Sequence, residues 1–219
     1  MPIRSTHKHR RDPGFLRLVA GLYLTMLLGL LFVGGCFNTV PRNIDNGCSM
    51  FSEKHRWFRA ARASEKRWGV PMSVQLAIIH QESRFRAHAK PARRKILWVI
   101  PGPRLSSSYG YTQALSSTWS EYQRATRSWG ADRNDFADAV DFIGWYTNRS
   151  AGRLGIARSD AYRLYLAYHE GDGGYRRGTY ANKPTIKRAA VKVRDREATY
   201  RRQLAGCRKN LEKQGRWFW

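Results

Sequence analysis

Glu82 stands at the end of an apolar run, Val74-Gln75-Leu76-Ala77-Ile78-Ile79-His80, and is followed at once by Ser83, Arg84 and Arg86. A carboxylate set against an apolar helix and aromatics is desolvated, and desolvation raises its pKa because the charged form is penalised. A Glu that keeps its proton near neutral pH can give it to a leaving oxygen, the general-acid chemistry of glycosidic bond cleavage. The alternative is a solvated Glu or one paired with Arg84 or Arg86. Two later segments carry further polar and aromatic groups: SYGYTQ, residues 108–113, with Tyr111 and Gln113, and AYHEGDGGY, residues 167–175, with Tyr168, His169, Glu170 and Asp172. His80 and His88 flank Glu82, and His7 and His9 lie near the N-terminus; none has ordered acidic or Cys partners, so no metal and no cofactor is expected.

Helical elements must position these groups. Residues 52–68 space Trp57, Ala61, Glu65 and Trp68 along one side, and Gly69 ends the run. Pro71 suits the first turn of a second helix that is apolar nearly all round, as in a domain core, and delivers Glu82 at its end. Residues 86–108 break the pattern with Pro91, Pro101, Pro103, Gly102 and three serines around the β-like run Ile96–Ile100. They read as a long loop or small hairpin at about 88–108, with Trp98 either lining a groove or anchoring a surface insertion. Helices then resume: one capped by Ser117 and running through Trp119, Tyr122 and Trp129; one capped by Asn134 or Asp135, carrying Phe136, Val140, Ile143 and Thr147; one capped by Ser159 and interrupted by Gly171, Gly173 and Gly174. Pro184 opens a last, Arg-rich helix through about Leu204. Trp57, Trp68, Trp119, Trp129 and Trp145 recur at helical spacing and read as core. The fold class is all-α.

The chain has 219 residues with 40 Lys/Arg against 16 Asp/Glu, a formal charge of +24. Such a surface fits polyanions: nucleic acid, anionic lipid headgroups or an acidic wall polymer. The basic residues are scattered, with no pattern of a nucleic-acid-binding module, so no specific nucleic acid is expected. Arg4, Lys8, Arg10, Arg11 and Arg17 precede an uncharged apolar stretch, residues 18–35. This is the layout of an export signal, and its length is borderline for an uncleaved anchor. The exit Val33-Gly34-Gly35-Cys36 resembles the lipobox of bacterial lipoproteins. That resemblance implies lipidation of Cys36 and attachment to the membrane, and Phe37 after the Cys favours the outer membrane, with the domain facing the periplasm. Cys48 and Cys207 remain as an even pair in an exported chain, and they read either as a disulfide or as unrelated thiols. In the chain-entropy model a bridge over so long a loop stabilises by roughly 5 kcal/mol.

Glu82-Ser83, Tyr109–Gln113 and Ala167–Gly171, in that order, resemble the three signatures of lytic transglycosylases with the lysozyme-like SLT fold: Glu-Ser at a helix end, Gly-Leu-Met-Gln, and Ala-Tyr-Asn-x-Gly. The resemblance covers roughly residues 60–180 and implies an all-α domain that is α+β in the broad lysozyme-like sense. It implies Glu82 as the catalytic acid/base, and Ser83, Gln113 and Tyr168 as residues that hold substrate or orient the Glu. Tyr111 and Thr112 replace Leu and Met, implying a more polar glycan-facing wall, and His169 replaces Asn. Tyr146, one helix earlier, is a further candidate for the cleft.

The implied reaction cleaves peptidoglycan glycan strands between N-acetylmuramic acid and N-acetylglucosamine with a single carboxyl group, leaving a 1,6-anhydro end. Two other readings remain. A hydrolase of the same fold would use Glu170 or Asp172 to activate water, and a non-catalytic wall-binding lipoprotein would use the basic surface. The expected organisation is a signal peptide at 1–35, a tether at 36–48, the catalytic domain at 49–205 and a basic aromatic tail at 206–219.

Overall fold

The computed structural model of the chain describes residues 39–96, 100–104 and 106–214. The expected signal segment, Cys36 and Trp98 lie outside them. The described elements are α1 (Gly47–Glu53), α2 (His55–Trp68), α3 (Met72–Ser83), β1 (Arg93–Ile96), β2 (Ile100–Arg104), α4 (Ser116–Thr126), α5 (Phe136–Leu154), α6 (Ala161–Arg176) and α7 (Pro184–Gln214). Among the described residues no helix is long and apolar enough to cross a membrane.

α3 is the central helix, packed against α2, α5, α6 and α7. Val74, Leu76, Ala77, Ile78 and Ile79 are all fully buried, which is why the run is apolar on every side and not on one stripe. Each large aliphatic buried this way contributes about 1.5–3 kcal/mol. Two polar side chains on α3 tie it to its surroundings: Ser73 donates to Glu197 on α7 at 2.9 Å, and Gln75 donates to the Val70 carbonyl at 2.8 Å.

An aromatic cluster secures the neighbours. Trp57 on α2 stacks on Phe136 of α5, with centroids 4.0 Å apart and planes 5° from parallel, and meets Tyr111 edge-on. The Asp141 carboxylate accepts from Trp68 Nε1 at 2.7 Å, the Tyr122 hydroxyl at 2.9 Å and Arg67 at 3.1 Å. One charge thus joins α2, α4 and α5. Trp57, Trp119 and Trp145 are core, as their spacing predicts; Trp129 is not. α4 ends at Thr126 with Arg127 in the left-handed conformation, and Trp129, beyond the helix, is 67% exposed.

The chain around the domain's two ends departs from expectation. Residues 39–48 read as a tether, yet Pro41 is buried and Asn46 caps α1 by accepting from Ser49 N. Gly47 N donates to Gln203 at 2.8 Å, and the Tyr200 hydroxyl donates to the Ile44 carbonyl. α7 does not stop near Leu204. It runs to Gln214, with Leu211 buried and Arg208 paired to Glu65 on α2 at 2.6 Å, so residues 206–214 belong to the domain. The helix continues because its solvent face is basic and its inner face still finds apolar contact; the mixed composition read as a tail hid that. Cys48 on α1 and Cys207 on α7 are bonded, with Cα atoms 6.0 Å apart.

β1 and β2 form an antiparallel hairpin with Ile96 opposite Ile100. β1 ends at Ile96 and β2 begins at Ile100, so the described strands lie mostly in Pro- and Arg-rich sequence that carries no β signal.

Candidate active site

Glu82 reaches its position through a turn that few sequences adopt. α3 ends at Ser83, and both Arg84 (φ 52°) and Phe85 (φ 58°) are left-handed without being glycine. Each such residue costs of order 1 kcal/mol or more. Complete burial of Phe85 against Trp57 and His80 offsets that cost. The reversal sends the chain away immediately after Glu82 and leaves its carboxyl facing a cavity of about 540 Å³, within the usual size of a ligand site.

Several segments wall this cavity. Glu82 comes from α3, Ser108 and Gln113 from the loop before α4, and Tyr168, His169, Glu170 and Gly171 from α6, with Phe142 and Tyr146 of α5 beneath. The loop depends on Gly110. Its φ is +75°, and a Cβ there would lie 2.1 Å from the Arg133 carbonyl oxygen. Gln113, also left-handed, spends its amide on the loop, donating to the Ala89 carbonyl at 3.0 Å and the Gly110 carbonyl at 2.8 Å. The α6 wall depends on Gly171, whose φ 71° and ψ 160° kink the helix at the cavity. Such a conformation is almost confined to glycine.

Burial pushes the Glu82 carboxyl up to about 7, although the Tyr165 hydroxyl donates to it and favours the charged form. Glu82 has no ion-pair partner among the described residues. The neighbouring cations are elsewhere: Arg86 donates to the Ser83 carbonyl at 3.0 Å, and Arg84 lies exposed within the turn. Glu170 is the opposite case. Lys183 (2.7 Å) and Thr179 bond its carboxylate, His169 Nδ1 sits 3.1 Å away, and it is drawn down to about 2. Asp172 does not line the cavity; Ser150 at 2.6 Å and Arg153 at 3.2 Å occupy its oxygens. Among the described residues, no group of three or more His, Cys, Asp or Glu could hold a metal.

A family model described as "Transglycosylase SLT domain" matches residues 24–207. The chain belongs to the transglycosylase SLT domain family. No curated protein matched the sequence. Membership brings the lysozyme-like all-α fold, peptidoglycan as the substrate bound and, in general terms, lytic transglycosylase activity.

The Glu82 cavity takes up Gln113, Tyr146, Tyr168 and His169 from the sequence reading, and leaves out Ser83 and Tyr111. Ser83 is buried and donates back to the Ile79 carbonyl at 3.2 Å. Tyr111 is fully buried against Trp57 and Phe136, with its hydroxyl unbonded among the described residues, so it belongs to the core and not to a polar glycan-facing wall. Thr112 is buried as well and serves through its backbone, accepting from the Tyr168 hydroxyl at 2.6 Å. Tyr168 therefore braces the second segment, and the tyrosine that bonds Glu82 is Tyr165, one turn earlier on α6. The i, i+3 spacing of Tyr165 and Tyr168 was the available signal, since it puts both on one side of the helix.

Proposed function

We propose that Glu82 is the single acid/base of a lytic transglycosylase that cleaves the bond between N-acetylmuramic acid and N-acetylglucosamine and leaves a 1,6-anhydro muramoyl end. The observation that carries this reading is a carboxyl raised to about 7 on the wall of a ligand-sized cavity, with no cation paired to it among the described residues. At neutral pH such a group is divided between acid and base. The protonated form gives its proton to the glycosidic oxygen as the C–O bond breaks. The substrate's acetamido oxygen covers the anomeric carbon. The carboxylate then takes the proton of the muramoyl 6-hydroxyl as that oxygen closes on the anomeric carbon, which returns Glu82 to its starting state.

The Tyr165 hydroxyl steadies Glu82 in its charged form between the two steps. Tyr168 holds Thr112 and so fixes the loop carrying Gln113, and Tyr146 packs edge-on to Tyr168 at 5.1 Å. A water-activating role for Glu170 or Asp172 finds little support, because Lys183, Thr179, Ser150 and Arg153 already occupy their oxygens. The reading extends to the cell envelope: a chain lipidated at Cys36 and held at the outer membrane, supported by the Val33–Cys36 pattern.

Mass spectrometry of soluble products from intact sacculi tests it. The full chain in detergent should release anhydro-muropeptides, and Glu82→Gln should release none. Products with free reducing ends would make it a hydrolase, and none from a folded chain that pellets with sacculi would make it a binding module.

A further inference from the structure

Glu170 takes no part in the acid and base steps at Glu82, yet three side chains converge on its carboxylate. The Lys183 ammonium lies 2.7 Å from Oε2 and 3.1 Å from Oε1, the Thr179 hydroxyl donates to Oε2, and His169 Nδ1 stands 3.1 Å from Oε1. The Glu170 side chain is only 4% exposed. Gly174 leaves room for the arrangement, since a Cβ there would lie 3.1 Å from both Glu170 Cβ and Thr179 Oγ1.

This clamp fixes which nitrogen of His169 carries hydrogen. Lys183 and Thr179 keep Glu170 ionised, drawn down to about 2. An ionised carboxylate can only accept hydrogen bonds, so the hydrogen between Glu170 and His169 belongs to Nδ1. In the neutral imidazole one nitrogen carries hydrogen and the other accepts, which leaves Nε2 as the acceptor.

Nε2 has a place to act. His169 lines the Glu82 cavity with its side chain 43% exposed, and among the described residues no hydrogen bond involves its Nε2. It follows Tyr165, whose hydroxyl acts on Glu82, by one turn of α6, with ring centroids 6.5 Å apart. Two other polar side chains of the cavity are already engaged: the Gln113 amide donates to the Ala89 and Gly110 carbonyls, and the Tyr168 hydroxyl donates to Thr112. A glycan presents several hydroxyls that lose water on entering such a cavity and need acceptors there. We propose that His169 Nε2 accepts a hydroxyl of the bound glycan, and that Glu170 is the positioning residue that holds the imidazole in the form able to do so. This rests on the reading that the Glu82 cavity holds the glycan.

Two measurements on the full chain in detergent test it, both with Glu82→Gln present so that binding is read without turnover. The probe is tetra-N-acetylchitotetraose, which carries hydroxyls and acetamides and no carboxylate. Adding His169→Ala should weaken its binding about five- to tenfold. Adding His169→Gln, whose amide oxygen can stand where Nε2 stood, should keep affinity within about threefold. NMR of the chain with isotope-labelled histidine then reads the imidazole directly. Hydrogen should sit on Nδ1 of His169, and the Nε2 resonance should move as the probe is added. In Glu170→Gln, Lys183 takes the amide oxygen and the amide N–H turns to Nδ1, so the hydrogen should pass to Nε2 and affinity should fall as in His169→Ala. A purely structural role for Glu170 would lower melting without moving that hydrogen. Hydrogen on Nε2 in the chain with Glu170 intact, an Nε2 resonance that ignores the probe, equal affinity in His169→Ala, or no binding at all overturns the proposal. Products with reducing ends in place of anhydro ends would instead remove the transglycosylase mechanism and leave the titration and the imidazole signals as they stand.

Discussion

Glu82 and Glu170 line the same cavity and are held in opposite charge states. Burial pushes Glu82 up to about 7, while bonds from Lys183 and Thr179 draw Glu170 down to about 2. A carboxyl near 7 can exchange a proton during a reaction; one near 2 is a fixed anion whose partners already use it. Sequence adjacency suggests the reverse, because Glu82 is followed by Arg84 and Arg86 whereas Glu170 is followed by Gly171. The left-handed turn at Arg84–Phe85 removes the nearby cations from Glu82. Glu170 receives its cation from thirteen residues further on, across the end of α6. Charge state at this site follows from where the backbone turns.

The largest effect should come from the most conservative change. Glu82→Gln keeps the volume and removes the exchangeable proton, so turnover of sacculi should fall by about 10³-fold, the range ascribed to a lost general acid or base. Anhydro-muropeptide release by a folded variant is the measurement. Activity within a few-fold of wild type would break the contrast between the two glutamates at its root.

The helices and the half-buried Glu82 were legible because an apolar run without a polar face, as in α3, can only be central. What the sequence hid came from tertiary contact. Tyr111 and Ser83 sit inside motifs that resemble binding signatures, yet Trp57 and Phe136 enclose one and the helix carbonyl of Ile79 takes the other. Tyr165 lies outside the three motifs, yet its hydroxyl acts on the Glu82 carboxyl. The end of α7 looked like a tail because its exposed face is basic, whereas Leu211 and the Arg208–Glu65 pair hold it to the domain.

Tyr165 sharpens the contrast. Among the described residues its hydroxyl is the group that favours ionised Glu82, opposing burial. Tyr165→Phe should raise the Glu82 pKa further and slow turnover about tenfold. In wild type, kcat/KM should be flat below about pH 7 and fall above it, because the first step needs the proton. In Tyr165→Phe that falling limb should move to higher pH. A limb that stays put would mean that another group controls it.

Stability should carry the same signature. The folded state holds the Glu82 proton more tightly than the unfolded chain, so this contribution is complete below the unfolded carboxyl pKa and is lost as pH rises through about 7. Glu82→Gln should therefore melt with wild type near pH 5 and above it at pH 8–9. The expected gain is on the order of 2 kcal/mol, or about 4–8 °C. Parallel melting curves from pH 5 to 9 would mean that burial does not hold the proton on Glu82.

The smallest effect belongs to Glu170. Its lowered pKa contributes stability above the unfolded carboxyl pKa, and this is lost as pH falls through about 2. Glu170→Gln should lower the melting midpoint by about 2–4 °C at neutral pH, with the difference closing as the solution is acidified. Lys183→Met should act in the same direction, because it removes the largest cause of the shift. Turnover should stay within about tenfold of wild type in both, a loss from a loosened wall and not from a missing proton. A loss in Glu170→Gln as deep as that in Glu82→Gln, with anhydro products replaced by reducing ends, would show that Glu170 is freed from Lys183 and Thr179 when substrate is bound. The two glutamates would then be an acid and base pair, and the fixed charge of Glu170 a property of the empty cavity alone.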